Sequence, residues 1–141
     1  MRDTRQYDPE RILRRYFDEV WNAGRLDALD ELLTPDYVNH SPSIENPEPG
    51  PAGLKPIVVA LRTAIPDLHY ELLDFVATPD KIAAHVRVTG TQRGELFGMP
   101  ASGARIDVRQ MQFEWLREGR ICAHWRLTDE AALMRQLGGA G

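Results

Sequence analysis

The chain has 141 residues, the size of one ordinary domain, and its 43% hydrophobic and 27% charged residues are the proportions of a folded globular protein with a buried core. Seventeen basic residues against 21 acidic ones give a formal charge of −4 with the signs interleaved, so no basic stripe is available for nucleic acid or an anionic membrane. A lone Cys122 excludes an internal disulfide, no apolar run reaches membrane-spanning length, and Met1 leads into a polar stretch without a signal-peptide core, which predicts a cytoplasmic protein.

Asp8-Pro9-Glu10 offers an N-cap followed by proline in the first turn, and Ile12, Leu13, Tyr16, Phe17, Val20 and Trp21 recur at helical spacing until Gly24. Leu26, Leu29, Leu32 and Leu33 predict a second helix ending before Pro35, and 36–40 reads as a brief strand. Four prolines stiffen the loop over 41–51, which is suited to act as a lid. Leu54, Ile57, Val58, Leu61 and Ile65 mark a third helix.

Beyond Pro66 the period changes from helical to alternating, predicting strands over 68–77, 82–91, 106–116 and 120–127 and a last helix over 128–137. Glu118 is a poor residue for positive φ, so the turn between the last two strands is predicted as a three-residue loop with a bulge at Gly119. That register sets Trp115 opposite Ile121, Phe113 opposite Ala123, Met111 opposite Trp125 and Arg109 opposite Leu127, with this aromatic side facing inward. Three helices before an antiparallel meander predict an α+β domain, the helices laid across one face of a strongly curved sheet around a ligand cavity.

The four histidines lack metal-site spacing, Cys122 has no partner cysteine, and there is no GxSxG elbow, P-loop or GxGxxG fingerprint, so neither metal nor cofactor is expected. Counting by two from Ile121 through Ala123, Trp125 and Leu127 brings Asp129 to the predicted inner face, where desolvation would raise its pKa and suit it to general acid and base work. Thr128-Asp129-Glu130 equally has the composition of a helix start, with Asp129 as a cap. Tyr37 and Asn39 share a strand face and could orient a carbonyl or a water. Trp115, Trp125, Phe113, Met111, Arg87, Arg109 and Phe97 are the candidate substrate-binding residues, while His40 and His124 alternate away from the predicted pocket.

Gly50-Pro51-Ala52-Gly53-Leu54, Ile65-Pro66-Asp67-Leu68, Gly90-Thr91-Gln92-Arg93-Gly94 with Phe97-Gly98-Met99-Pro100-Ala101-Ser102-Gly103, and Glu118-Gly119-Arg120-Ile121 through His124-Trp125 and Asp129 to Gln136-Leu137-Gly138 follow one another in a familiar order. In that order and spacing the chain resembles the SnoaL-like polyketide cyclases over nearly its whole length, as one domain covering 1–141. The resemblance implies a cone-shaped α+β barrel of the NTF2-like kind, with N-terminal helices packed on a strongly curved, mixed but mainly antiparallel sheet. It also implies a cofactor-independent polyketide cyclase that closes a ring by intramolecular aldol condensation, with Asp129 as acid and base and with Tyr37 and Asn39 beside it. The implied ligand is small, hydrophobic and polycyclic or polyketide-like. Epoxide hydrolase, isomerase or hydroxylase chemistry on the same barrel, and a non-catalytic binding module, are the alternatives. The chain departs from many members at Gln92, where they carry histidine. A homodimer is expected through an outer sheet face carrying Cys122, Val108 and Leu116.

Overall fold

The computed structural model describes residues 7–42 and 47–138. Asp8 caps α1 (Pro9–Arg15) by accepting from the Glu10 N–H at 3.0 Å, and the helix continues as a π-helical segment over Tyr16–Asn22. The wider i→i+5 winding lets residues five apart share a face, so Tyr16, Phe17, Val20 and Trp21 are all buried. Arg62 donates to the carbonyls of Trp21 and Asn22 at 2.7 and 3.1 Å, closing the segment's end. Asn22 then clamps the backbone of Tyr70, donating to its carbonyl at 3.0 Å and accepting its N–H at 2.7 Å.

A short α2 (Ala28–Leu32) runs directly into β1 (Leu33–Asn39), and α3 (Pro51–Ala64) leads to β2 (His69–Thr78), β3 (Lys81–Thr91), β4 (Arg105–Arg117), β5 (Arg120–Thr128) and α4 (Glu130–Gln136). The strands lie in the order β1-β5-β4-β3-β2, with β1 parallel to β5 and every other pair antiparallel. The mixed, mainly antiparallel sheet under N-terminal helices is as predicted, but the expected cone-shaped barrel is not: the sheet is open and not strongly curled. β1 and β2 are its two edges, unpaired with each other. Closing a barrel would require those edges to meet. Pro35 lacks the N–H a paired position would use, as befits an edge strand. Residues 43–46 of the predicted lid loop lie outside the described residues.

The β4–β5 hairpin also differs from expectation. Arg117 pairs with Arg120 across a two-residue turn in which Glu118 and Gly119 both have positive φ, 51° and 79°. This is the type I′ geometry that the twist of the flanking strands favours, and it overrides the reluctance of Glu118. Leu116 faces Ile121 while Trp115 faces Ala123, so Cys122 is the extra residue of a β-bulge. Trp115 and Trp125 remain on one side, because the predicted and observed registers differ by two residues below the bulge. That side is the outer one. Phe113 stacks on Trp125 at 5.4 Å, Lys81 lies over the rings of Phe113 and Trp115, and Met111 and Leu127 are exposed. The inner side of β4 carries Ile106, Val108, Gln110, Gln112, Glu114 and Leu116, all buried, so Val108 and Leu116 do not belong to the outer face assigned to them.

Because Asn-Gly suits a type I′ turn better than Glu-Gly, Glu118→Asn is expected to raise stability by roughly 0.5–1 kcal/mol in urea unfolding. Gly119→Ala should lower it by more than about 1 kcal/mol, since its φ is positive and a Cβ there would sit 2.2 Å from the Tyr7 ring.

Candidate functional site

Between the helices and the inner face of the sheet lies a cavity of about 390 Å³. Its helical wall is mainly apolar, built by Tyr16, Trp21, Leu54, Ile57 and Leu61, and α4 contributes Leu133 and Met134 with Glu130 at its start. The sheet wall changes along β4 from Ile106 and Val108 to Gln110 and Gln112, and β5 adds His124, Arg126 and Thr128. One end of the cavity is therefore apolar and the other is a polar strip.

At the polar end Glu114 and His124 are cross-strand partners, both almost wholly buried. The His124 Nδ1 hydrogen-bonds both Glu114 carboxylate oxygens, Oε2 at 2.8 Å and Oε1 closer still. On the other side of the ring, Nε2 stands 3.4 Å from an Arg126 guanidinium nitrogen. A guanidinium only donates, so Nε2 is the accepting nitrogen and Nδ1 carries the proton toward Glu114. Burial raises the Glu114 pKa, partly offset by its interaction with His124 and by the charge of Arg126. Burial likewise pushes the phenols of Tyr16, Tyr37 and Tyr70 up, so all three keep their O–H. Gln112 donates from Nε2 to Gln110 Oε1 at 2.7 Å, extending the polar strip toward Tyr70.

Of the residues singled out in the sequence, only Asn39 and Phe97 line this cavity. Asn39 also accepts the Ser41 N–H at 2.9 Å. Tyr37 is buried in the core with no hydrogen-bond partner for its hydroxyl. Asp129 is exposed, caps α4 by accepting the Ala132 N–H at 3.1 Å, and is absent from the cavity wall. The Cys122 bulge explains this: counting by two through it from Ile121 exchanges the faces of everything beyond. Trp115, Trp125, Phe113 and Met111 consequently lie on the outer face. Arg87 and Arg109 join them there, Arg87 in a two-pronged pair with Asp107 at 2.9 and 2.6 Å and Arg109 beside His85. His124, assigned outward in the sequence, is the histidine of the site. A glutamate and two glutamines alternating along β4 opposite His124 and Arg126 were the available signal, masked by the hydrophobic residues on the other side of the same strands.

Gln92 is fully buried and ties the connection before β4 together: its Nε2 donates to the carbonyls of Met99 and Pro100, and its Oε1 accepts from Ser102 Oγ at 2.6 Å. It anchors the segment that carries Phe97 to the cavity mouth and does not itself line the cavity. Among the described residues no helix is long and apolar enough to cross a membrane, and no three His, Cys, Asp or Glu side chains gather as metal ligands.

The fold agrees with the comparisons. A model of the SnoaL-like polyketide cyclases matches residues 11–137, and the chain belongs to that family. It is 30% identical to the aklanonic acid methyl ester cyclase DauD of Streptomyces sp. (strain C5) over 132 residues, 92% of this chain and 82% of that one. It is 28% identical to the nogalonic acid methyl ester cyclase of Streptomyces nogalater over 120 residues, 84% and 90% of the two chains. Among solved structures, TsrD from Streptomyces laurentii superposes with a TM-score of 0.83 at 29% identity, covering 92% of this chain and 93% of that one.

The raised pKa of Glu114 has a stability consequence. A carboxyl that holds its proton more tightly folded than unfolded favours folding fully below the unfolded carboxylate range, and loses that contribution as pH rises through its raised value. Melting temperatures measured from about pH 4 to pH 8 should therefore fall less steeply with pH in Glu114→Gln than in the wild type.

Proposed function

We propose that this chain is a cofactor-independent polyketide cyclase in which the His124 imidazole, oriented by Glu114, is the acid and base of an intramolecular aldol condensation. The observation that carries the reading is a His124 imidazole on the wall of a largely apolar cavity, backed by the buried Glu114 carboxylate behind it. Nε2 removes a proton from the carbon α to a carbonyl, and the enolate carbon attacks a second carbonyl of the same molecule. The new alkoxide then takes the proton back from Nε2, so nothing is consumed. Glu114 holds the ring in the tautomer whose Nε2 lone pair accepts, from Arg126 before substrate enters and from the substrate carbon once the guanidinium turns to the carbonyl oxygen, and it stabilises the imidazolium while it exists. Arg126, 3.4 Å from Nε2, places positive charge where the enolate oxygen develops. The apolar helical wall holds the rest of a polycyclic substrate folded against the reacting carbons. A methyl-ester polyketide of the aklanonic acid type is the substrate class suggested by the relatives.

With such a substrate, His124→Gln should lower turnover by on the order of a hundred- to ten-thousand-fold. Asp129→Asn, which preserves the α4 cap, should leave both turnover and melting temperature near wild type. Full activity in His124→Gln, or a collapse in Asp129→Asn, would transfer the chemistry to the cap residue.

The outer face supports a homodimer. Val76, Met111 and Leu127 are exposed at 71%, 50% and 62%, beside Phe113, Trp115 and Trp125, an apolar surface of a kind that association covers. Leu127→Asp should convert a dimer into a monomer in sedimentation at micromolar concentration; a wild-type monomer there would refute the assignment.

A further inference from the structure

The polar strip contains one atom whose needs the protein leaves unmet. Gln112 is 3% exposed and lines the cavity, yet its Oε1 has no hydrogen-bond partner. A buried carbonyl oxygen left unpaired is unfavourable, and few such atoms persist in folded proteins without a reason.

The neighbouring groups fix which end of the amide is open. Gln112 Nε2 is committed to Gln110 Oε1 at 2.7 Å. Gln110, its oxygen thus occupied, has its amide nitrogen left for the neighbouring Tyr70 phenol, whose burial-raised pKa it helps to lower. The amide donor of Gln112 is thus spent along the strip on Gln110, its buried Oε1 is left over, and the residue itself lines the cavity. Gln112 lies one inward position from Glu114 and is the cross-strand partner of Arg126, so it borders the His124 site.

We propose that Gln112 Oε1 receives a hydroxyl of the substrate, so that the cavity selects phenolic or enolic ligands over the corresponding ethers. This rests on the cavity being the substrate site, as argued above. A carbonyl oxygen accepts and never donates, so an ether or ester oxygen placed against it would bring lone pairs together, whereas an O–H completes the strip. Sites built around a hydrogen-bonding group discriminate more strongly than apolar walls, because the wrong ligand leaves a buried polar atom unpaired. Gln112 is in this reading a specificity-determining residue, distinct from the proton-carrying His124.

The test is equilibrium binding of 2-naphthol and 2-methoxynaphthalene to the full-length protein by titration calorimetry, with no turnover involved. The ether is the more hydrophobic of the two, so an apolar cavity alone would favour it. Wild-type protein should bind 2-naphthol tighter by on the order of tenfold or more. Gln112→Met, of similar volume, should abolish the preference while keeping or improving affinity for the ether, and His124→Gln should retain it. Equal wild-type affinities, or tighter binding of the ether, overturn the Gln112 assignment while leaving the cavity as the site. That comparison decides even if Gln112→Met fails to fold. A preference that survives intact in a folded Gln112→Met also overturns it. Binding of neither compound overturns the cavity as the substrate site, and the Gln112 assignment with it.

Discussion

A pleated strand gives each side chain one of two faces, and in a hairpin the choice made for one residue is made for all until a bulge intervenes. In this protein that constraint acts through β4 and β5. Once Leu116 and Ile121 are set toward the helices, Glu114, Gln112 and Gln110 must follow along β4. The single extra residue at Cys122 then shifts the alternation on β5, so that His124, Arg126 and Thr128 turn inward with them. Without the bulge, Ala123, Trp125 and Leu127 would face the cavity, and the Glu114 carboxylate would be buried with no cation beside it. The turn at Glu118-Gly119 and the bulge thus act together: the first fixes where the strands begin to pair, the second fixes which residues meet.

The pair they create is poorly explained as a source of stability. Removing a carboxylate from water is costly, its attraction to a buried partner commonly only offsets that cost, and well-packed apolar residues of like volume would serve the core as well. What the pair supplies is orientation. Its two hydrogen bonds hold the imidazole in one rotation and one tautomer, and nearby phenols kept protonated by burial cannot compete as anions. The charge pattern is arranged before any ligand enters, which is the condition under which fixed dipoles and charges act most strongly on charge that develops in a ligand.

Much of the architecture was legible in the sequence, because it rests on local signals that little overrides. The Asp8-Pro9 start of α1, the end of the proline-rich loop at residue 51 and the change of period after Pro66 all fall where the elements begin or end. The site was not legible, and the reasons are specific. An assignment of faces from hydrophobicity presumes that the apolar side of a strand is the buried one. On β4 the buried side carries Gln110, Gln112 and Glu114, while Met111, Phe113 and Trp115 line the outer face. A bulge leaves no composition signature when its extra residue is an ordinary cysteine, and a glutamate with positive φ in the turn runs against the usual preference. The open sheet was equally hidden, since edge-to-edge closure depends on long-range geometry that no local pattern records.

The division of labour within the cavity follows from the same topology. β4 and β5 are interior strands, each hydrogen-bonded on both sides, so Gln112, Glu114, His124 and Arg126 stand on backbone that is difficult to displace. Phe97 instead sits at the tip of a tight turn closed by reciprocal Leu96–Met99 backbone hydrogen bonds, at a positive φ of 52° and more than half exposed. Its support comes from Gln92 and Ser102 behind it. A cavity arranged in this way separates its walls: the polar groups lie on the rigid strands, where a precise geometry can be held, and an exposed aromatic lies on the connection. Substitutions on that connection can change what the cavity admits without moving the His124–Glu114 pair. Relatives near 30% identity can therefore share the fold while differing in the substrates they accept.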